Sequence, residues 1–439
     1  MGHKRKRRPS LAACAVFALG LGLAACGSSP SAGPGPLYRL PDLATIPPTT
    51  TVPPTTVPPT TVPTTTTTTA PVTQPTPAPT PVAAVPGWSL PLTAAPPDGG
   101  FTSVSCISDT FCIATGGGAY VADDADTTGP GIAESWDGAT WSLPATYFGP
   151  ASGPVTAADA PLRPAITCTS GPFCVIVDGS DHVSNGDGTN WIAPVGLATA
   201  PPLPANPDGG SSDDRTAAVV CPDVTFCAIV DSTGNALAWR SGTWLAPQAF
   251  GSASATGHQV AIDATGRVGL ACSSTSACTA VVGATVLDWD GTAWTEEPAP
   301  WTSSPAVSHQ AAAVGCPTAS TCFIVGGPDV YVRTGGGSWS PGQDIDPGGL
   351  LDALSCPTAT FCLAADTEGR VVTWDGTGWA PPVRVLPAVT AYTAGDTSVS
   401  CSGADFCMVL NPDGDYTTWS GPPAASAAPT TSTTGPPGA

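Results

Sequence analysis

The chain is poor in charge, and poorest in positive charge. Of its 439 residues 10% are charged, 13 basic against 33 acidic, where a soluble domain ordinarily carries about 25%. Both lysines, Lys4 and Lys6, lie near the start, beside Arg5, Arg7 and Arg8. Beyond residue 25 there are eight arginines and no lysine, so the formal charge falls from −20 to −25, eight cations against 33 anions. That excludes the basic stripe that nucleic-acid binding needs and a polybasic membrane-surface patch. Schiff-base and P-loop lysines are excluded with the residue itself. Past the N-terminus there is no run of 18 apolar residues, so no transmembrane helix is expected. Histidine is scarce as well: His182, His258 and His309 follow the N-terminal segment, with no His-Glu-x-x-His grouping.

Proline, glycine and cysteine are plentiful: 52, 50 and 16 residues. Residues 4–8 form a basic cluster, Leu11 to Leu23 is a short apolar run, and small residues follow. This is the layout of a secretory signal peptide over residues 1–25. Residues 26–85 read as a linker. Between Pro47 and Pro81, 28 of 35 residues are Pro or Thr, a composition with little to bury that favours polyproline II. At about 3.1 Å per residue, 27–85 could reach on the order of 180 Å. Thr among Pro also suits O-glycosylation. Residues 422–439 have the same character and read as a disordered tail.

Residues 86–421 contain a repeat. Cysteines pair as Cys106/Cys112, Cys168/Cys174, Cys221/Cys227, Cys272/Cys278, Cys316/Cys322, Cys356/Cys362 and Cys401/Cys407, always with five residues between. A tryptophan follows the second cysteine by 17 residues at Trp191, Trp244, Trp339 and Trp379, by 16 at Trp294, and by 29 at Trp141. A turn phrase such as Asp187-Gly188 or Asp290-Gly291 precedes it. Around these landmarks lie four short β-rich runs, as in Ala218–Cys221, Phe226–Val230, Ala236–Trp239 and Thr243–Ala246. No segment of helical period competes. Units of about 50 residues with four strands are β-propeller blades, and seven units predict an all-β, seven-bladed propeller of four-stranded antiparallel blades. The seventh unit ends at Trp419 without a fourth strand, whereas Gly87-Trp88-Ser89-Leu90-Pro91 stands alone ahead of the first unit and matches Trp141-Ser142-Leu143-Pro144. The N-terminal segment is therefore expected to supply the outermost strand of the last blade and close the ring by strand exchange.

An exported chain meets an oxidising compartment, and cysteines six apart across a hairpin are at bridging distance. Seven structural disulfides are expected. Fourteen thiols without Cys-x-x-Cys knuckles or partner histidines do not suit zinc. No metal and no cofactor is expected. The repeated tryptophans are expected to pack between blades. Trp301, outside the repeat register in Pro298-Ala299-Pro300-Trp301, is a candidate exposed contact. Arg163, Arg215 and Arg267 each precede the first strand of a unit and could grip an anion at one mouth of the channel; the alternative is isolated charges balancing an acidic surface. Clustered aspartates (Asp123, Asp124 and Asp126; Asp208, Asp213 and Asp214) match no calcium-loop spacing and read as solvated loops. Glu296-Glu297 reads as a solvated strand end.

Two resemblances extend this reading. Leu23-Ala24-Ala25-Cys26-Gly27 resembles the lipobox of bacterial lipoproteins, which implies lipidation of Cys26, attachment to the outer face of the cytoplasmic membrane, and projection into or beyond the cell wall. The alternative is an ordinary signal peptide with an incidental Cys26. The cysteine repeats are similar to the Ser-Cys-x5-Cys units of secreted actinobacterial β-propeller proteins. Ser135-Trp136-Asp137-Gly138-Ala139-Thr140-Trp141 is also similar to the sialidase Asp-box, though one residue short. An Asp-box is a structural turn, so it implies fold and not activity. The reading that follows is a monomeric surface lipoprotein whose propeller binds an envelope glycan or a protein partner, with no catalytic residue assigned. The alternatives are a glycan-active hydrolase or lyase on a sialidase-like propeller, and a structural envelope protein.

Overall fold

The computed structural model describes residues 82–94, 100–116, 131–148, 164–178, 182–197, 217–232, 235–250, 268–283, 285–301, 313–389 and 397–421. These residues form strands and turns, with no helix among them. They make seven antiparallel sheets. Blade one is built from Phe101–Ser108, Phe111–Gly116, Gly131–Trp136 and Ala145–Phe148. The inner strands of the next six blades are Ala165–Thr169, Ala217–Asp223, Val268–Ser274, Ala313–Thr318, Leu351–Thr358 and Ser398–Gly403. They pack side by side in chain order, and the seventh packs against the first. The seven-bladed propeller is the fold.

The ring closes as the sequence predicts. Blade seven takes three strands from Ser398–Gly403, Phe406–Leu410 and Asp415–Trp419, and its fourth from Leu92–Thr93. The Ser89 N–H donates to the Thr418 carbonyl, the Ser420 N–H to that of Gly87 and the Ala94 N–H to that of Gly414, each at 2.9 Å. Gly87 has φ +85°, and a side chain there would run into the Trp419 ring. The outer strands start later than the sequence reading places them. Trp141, Trp191 and Trp379 make only an isolated bridge to the third strand, and the regular pairing follows at Ala145–Phe148, Val195–Gly196 and Val383–Arg384. The reason is a proline three residues past the tryptophan, at Pro91, Pro144, Pro194, Pro247 and Pro382. Proline offers no N–H to a ladder, which interrupts pairing and blunts an exposed sheet edge against aggregation.

All seven cysteine pairs are bonded, with Cα atoms 3.9–4.1 Å apart. Four of them are direct cross-strand partners: Cys106–Cys112, Cys168–Cys174, Cys272–Cys278 and Cys401–Cys407. The other three depart from the simple facing arrangement that the spacing suggests. The ladder also shifts register just after Cys106, Cys272 and Cys401, but at Cys221–Cys227, Cys316–Cys322 and Cys356–Cys362 the shift spans the first cysteine itself, which has no ladder partner, so the sulfurs bridge an irregular step. The second cysteine of every pair is buried. Cys112, Cys174, Cys362 and Cys407 are wholly enclosed, and Cys227, Cys278 and Cys322 are at most 5% exposed. The reason is position: each second cysteine lies on the second strand of its blade, between the inner strand and the third. Cys362 faces Trp374 there, and Cys322 faces Arg333 and lies 3.6 Å from the Thr279 hydroxyl of blade four. These sulfurs are staples inside the blades and offer no surface to a ligand.

The residue before the first cysteine has a second task. An inner strand has one unpaired edge, and its N–H groups need acceptors. The Cys168 N–H donates to Ser105 Oγ of the preceding blade at 2.9 Å, that of Cys221 to Thr167 Oγ1 at 3.3 Å, that of Cys401 to Ser355 Oγ at 3.0 Å and that of Cys106 to Ser400 Oγ at 2.8 Å. Hydroxyl-to-amide bonds thus join four of the seven blade seams. The other three seams carry Val220, Ala271 and Gly315 at that position.

Aromatic rings fill the space between blades. Phe173 of blade two stacks on Trp239 of blade three, Phe226 on Trp289 of blade four, and Phe361 of blade six on Trp419 of blade seven, with centroids 5.8–6.4 Å apart. The third-strand indoles also tie down the disulfide loops of their own blades. Trp136, Trp289 and Trp374 donate at 3.2 Å to the carbonyls of Asp109, Thr275 and Ala359, and Trp419 donates to Ala404 at 3.0 Å. Glu134 breaks the apolar pattern. It stands two residues before Trp136, where other blades place Leu237, Leu287 and Val372. It is 3% exposed at the seam of blades seven and one, and its Oε1 has no hydrogen-bond partner. Burial raises its pKa to about 7.

Candidate functional site

The strand order sorts the connections onto two faces. The disulfide hairpins and the turns between third and fourth strands share one. The hairpins between second and third strands, and the links from each outer strand to the next inner strand, share the other.

The disulfide face repeats one design. In four blades an aspartate closes the third turn with its own carboxylate. Asp137 Oδ1 accepts the N–H groups of Ala139 and Thr140, Asp187 those of Thr189 and Asn190, Asp290 those of Thr292 and Ala293, and Asp375 those of Thr377 and Gly378, all at 2.7–2.9 Å. The glycine that follows has φ between 93° and 98° in each case, a conformation that suits a residue without Cβ. The Thr292 hydroxyl and these amides hold the Asp290 carboxyl at about 2. Burial opposes ionisation of Asp187, but the Asn190 and Thr189 amides outweigh it and its pKa is also about 2. These groups are committed to turn geometry.

The opposite face keeps one backbone device and varies what it displays. Where the second strand ends, Asp178, Asp231, Asp366 and Asn411 each accept, through one side-chain oxygen, the N–H four residues on: His182, Asn235, Arg370 and Asp415, at 2.7–2.9 Å. Three of those partners bond back through their side chains. His182 Nδ1 lies 3.3 Å from Asp178 Oδ2, Asn235 Nδ2 donates to Asp231 Oδ2 at 2.8 Å, and Arg370 Nε donates to Asp366 Oδ2 at 2.7 Å. The spacing Asp/Asn-x3-His/Asn/Arg/Asp after an apolar strand is visible in the sequence, yet the reading above passes over it because its last residue changes every time.

Blade six carries the densest charge on this face. Arg370 reaches Asp366 and also Asp346, whose Oδ1 is 3.2 Å from Nη2. Both carboxylates are fully buried. Burial first, and then the charge of Asp366, raise Asp346 to about 6 against the pull of Arg370. Above them Glu368 and Arg384 are about half exposed, with Glu368 Oε2 3.5 Å from Arg384 Nη2. At the seam of blades one and two, Tyr147 is buried beside Asp178; burial and then that charge raise its pKa.

Other residues singled out by sequence fall as follows. Cys26, Arg163, Arg215 and Arg267 lie outside the described residues. Trp301 is half-buried, its ring 5.4 Å from that of Tyr331 at the seam of blades four and five. Glu297 lies at the end of an outer strand with its side chain 41% exposed, as the sequence reading has it, and it is also paired. It accepts from Arg333 at 2.9 Å and from the Trp339 indole at 2.8 Å. Arg333 also forks onto Asp288 at 2.5 and 2.6 Å and lies over the Trp339 ring at 4.6 Å. Arg333 occupies the position that is tryptophan in blade one, opposite the second cysteine of its hairpin. An ion pair thus replaces an aromatic stack at this seam. Among the described residues no group of three metal-ligating side chains is assembled.

No protein-family model matches the chain, and none of the curated proteins matches it. Solved structures do. YCF48 from Cyanidioschyzon merolae is 15% identical with a TM-score of 0.50, covering 76% of this chain and 98% of its own. The WD40 propeller domain of Doa1 is 11% identical with a TM-score of 0.50, covering 76% and 97%. The Neurospora crassa Pan2 WD40 domain is 11% identical with a TM-score of 0.50, covering 78% and 98%. At these identities the likeness is one of fold.

Proposed function

We propose that the propeller is a protein-binding module and that it recognises its partner through the face opposite the disulfides. One observation carries this reading: a fixed hairpin device there presents a different residue in each blade that has it. Repetition of backbone with variation of side chain is what a recognition surface needs. Blade six supplies exposed charge of both signs at Glu368 and Arg384, and blade two supplies His182, one-third exposed. A protein segment fits better than a glycan. Sugar binding favours open aromatic platforms, and all thirteen tryptophans are buried or half-buried. A secretory signal over residues 1–25, lipidation at Cys26 and a Pro/Thr stalk would hold this face away from a bacterial membrane, within reach of envelope proteins.

The test compares the faces. His182→Ala, Glu368→Ala and Arg384→Ala chains, and an Asp137→Ala chain as the control from the disulfide face, are passed over fractionated envelope proteins from an actinobacterium. The first set should lose retention at least tenfold while Asp137→Ala keeps it. Equal retention by all four would overturn this assignment of the face. Sugar release, followed in parallel, would favour the glycan-active alternative.

A further inference from the structure

The fourth strand of blade seven is the one outer strand that its own blade does not supply. Elsewhere among the blades a short turn delivers the outer strand from the third; here it comes from a segment more than 300 residues away in sequence. Three features show how it is held. Val85 and Trp88 pack on the cluster that contains Phe361 and Trp419, with the Trp88 and Trp419 rings 5.4 Å apart. Ser89 clamps Thr418 in both directions: its N–H donates to the Thr418 carbonyl, and its Oγ accepts the Thr418 N–H at 2.9 Å. The Thr93 hydroxyl donates to Asp415 at 2.7 Å. No disulfide reaches this strand; Cys401–Cys407 staples the first two strands of the blade, and the third is held to the second by its ladder.

The strand itself exposes apolar side chains. Leu90 and Leu92 are 60% and 51% exposed, and Leu143 on the adjoining outer edge of blade one is 89% exposed. Exposed large hydrophobic side chains occur on other blades as well, among them Val224, Leu245, Leu350 and Val383, but of the described residues only the exchanged strand carries two of them within three residues. Gly87-Trp88-Ser89 is the only Gly-Trp-Ser in the chain, and Gly87 leaves no room for any other first residue.

We infer that the outer edge of blade seven is a strand-acceptor site that a second copy of this chain can fill, the two copies exchanging residues 85–94 reciprocally, rim to rim. Reciprocal exchange recreates every contact of the closed ring, so its main cost is association. Rim-to-rim approach would also cover the exposed leucines. From Thr93 to Phe101 an extended chain spans at most roughly 28 Å; because Phe101 starts an inner strand, this must cover the three strand spacings of a blade, roughly 14 Å, and leaves about half its length for the gap between touching rims. The strand is delivered across a long sequence separation with no covalent tie, and elements held in this way open before a core does.

The experiment uses full-length chains. Ser89 Oγ and Thr417 Oγ1 are 3.1 Å apart, so Ser89→Cys and Thr417→Cys report whose strand fills the blade. A doubly substituted chain shows that the geometry permits the bond. Ser89→Cys chains are then mixed with Thr417→Cys chains, in which an 89–417 disulfide can form only between copies. The expected result is a covalent dimer identified by peptide mass, its yield rising with total concentration and falling severalfold when Leu90 and Leu143 are changed to Asp. If the double variant bonds within one chain while the mixed chains give no 89–417 peptide at any concentration, the inference is overturned. Light scattering on the unsubstituted chain gives a second reading: a monomer at every concentration up to the millimolar range also overturns it.

Discussion

The two faces of the ring are held by different physics. On the disulfide face every blade is closed by a covalent bond, and four of them also by a self-capping aspartate turn; neither responds to neutral pH. On the opposite face the hairpins are closed by side-chain pairs that differ from blade to blade: Asp366 and Asp346 on Arg370, Asp178 beside His182, and Asp231 on Asn235. The first arrangement is repeated; the second differs in each blade that has it. What recurs in a repeat protein is what every blade needs in order to stand. What changes is free to serve a ligand. Reductant and pH should therefore separate the two faces.

The largest effect should come from reductant. A disulfide closing so short a loop stabilises by about 2 kcal/mol on loop entropy, and seven such bonds on one face are together comparable with the whole margin that keeps a domain folded, about 5–15 kcal/mol. Full reduction is expected to abolish the cooperative thermal transition. Replacing Cys221 and Cys227 together with Ser should lower the melting temperature by only a few degrees. A fully reduced chain that still melted cooperatively near the oxidised temperature would erase the proposed difference between the faces.

This part of the fold was legible in the sequence for a physical reason. A cross-strand cysteine pair and an Asp-Gly turn are local, and their partners lie within six residues. The register shifts beside Cys316–Cys322 and Cys356–Cys362 were not legible, because the same spacing of six serves a regular ladder and a bulged one alike. The closure was legible too, because a lone Trp-Ser-Leu-Pro can be matched to a copy of itself. The hydroxyl bonds between inner strands were hidden. Ser105 and Cys168 are 63 residues apart, and only the ring shows that they meet. The partner of Glu297 was hidden for the same cause, since Arg333 lies 36 residues away and reaches it only when blades four and five pack. Asp346 was passed over because it belongs to no repeat, and the Asp-x3 hairpins because the varying residue hid a constant one.

Next in size is the loss of the buried cation. Arg370→Ala leaves Asp346 and Asp366 facing each other without compensation, which typically costs about 3–5 kcal/mol. The penalty needs both carboxylates charged. Asp346 already titrates near 6 in the folded chain, above its ordinary 3.8, because of burial and then Asp366. A raised folded value means that stability present below 3.8 is lost as pH climbs through 6. In Arg370→Ala that loss should deepen, so the variant is far less stable than the parent at pH 8 and approaches it near pH 4. Melting curves across that range check this. A constant difference at all pH values would show that Arg370 acts through packing alone.

One group complicates the assignment of any pH slope to the charged face, and it gives the smallest and sharpest test. Glu134 sits mid-strand at the seam of blades seven and one, on neither face, with burial raising it from 4.5 to about 7. Its sign is that of Asp346: the folded state holds a proton that the unfolded state releases, so stability is fully present below 4.5 and is lost as pH rises through 7. At about 1.4 kcal/mol per unit the loss is on the order of 3 kcal/mol. Asp187 and Asp290 run the other way, with folded values near 2, and cost stability only as pH falls from 3.8 toward 2. Glu134→Gln keeps the shape and removes the charge. It should match the parent at pH 4.5 and exceed it at pH 8, and the slope that remains between pH 4 and 6 then belongs to Asp346. Removing that remainder with Asp346→Asn in the same background would confine the neutral-pH response to the face opposite the disulfides. If the remainder persists, the pH-dependent stability resides somewhere other than the blade-six cluster, and the contrast between the faces reduces to the presence or absence of disulfides.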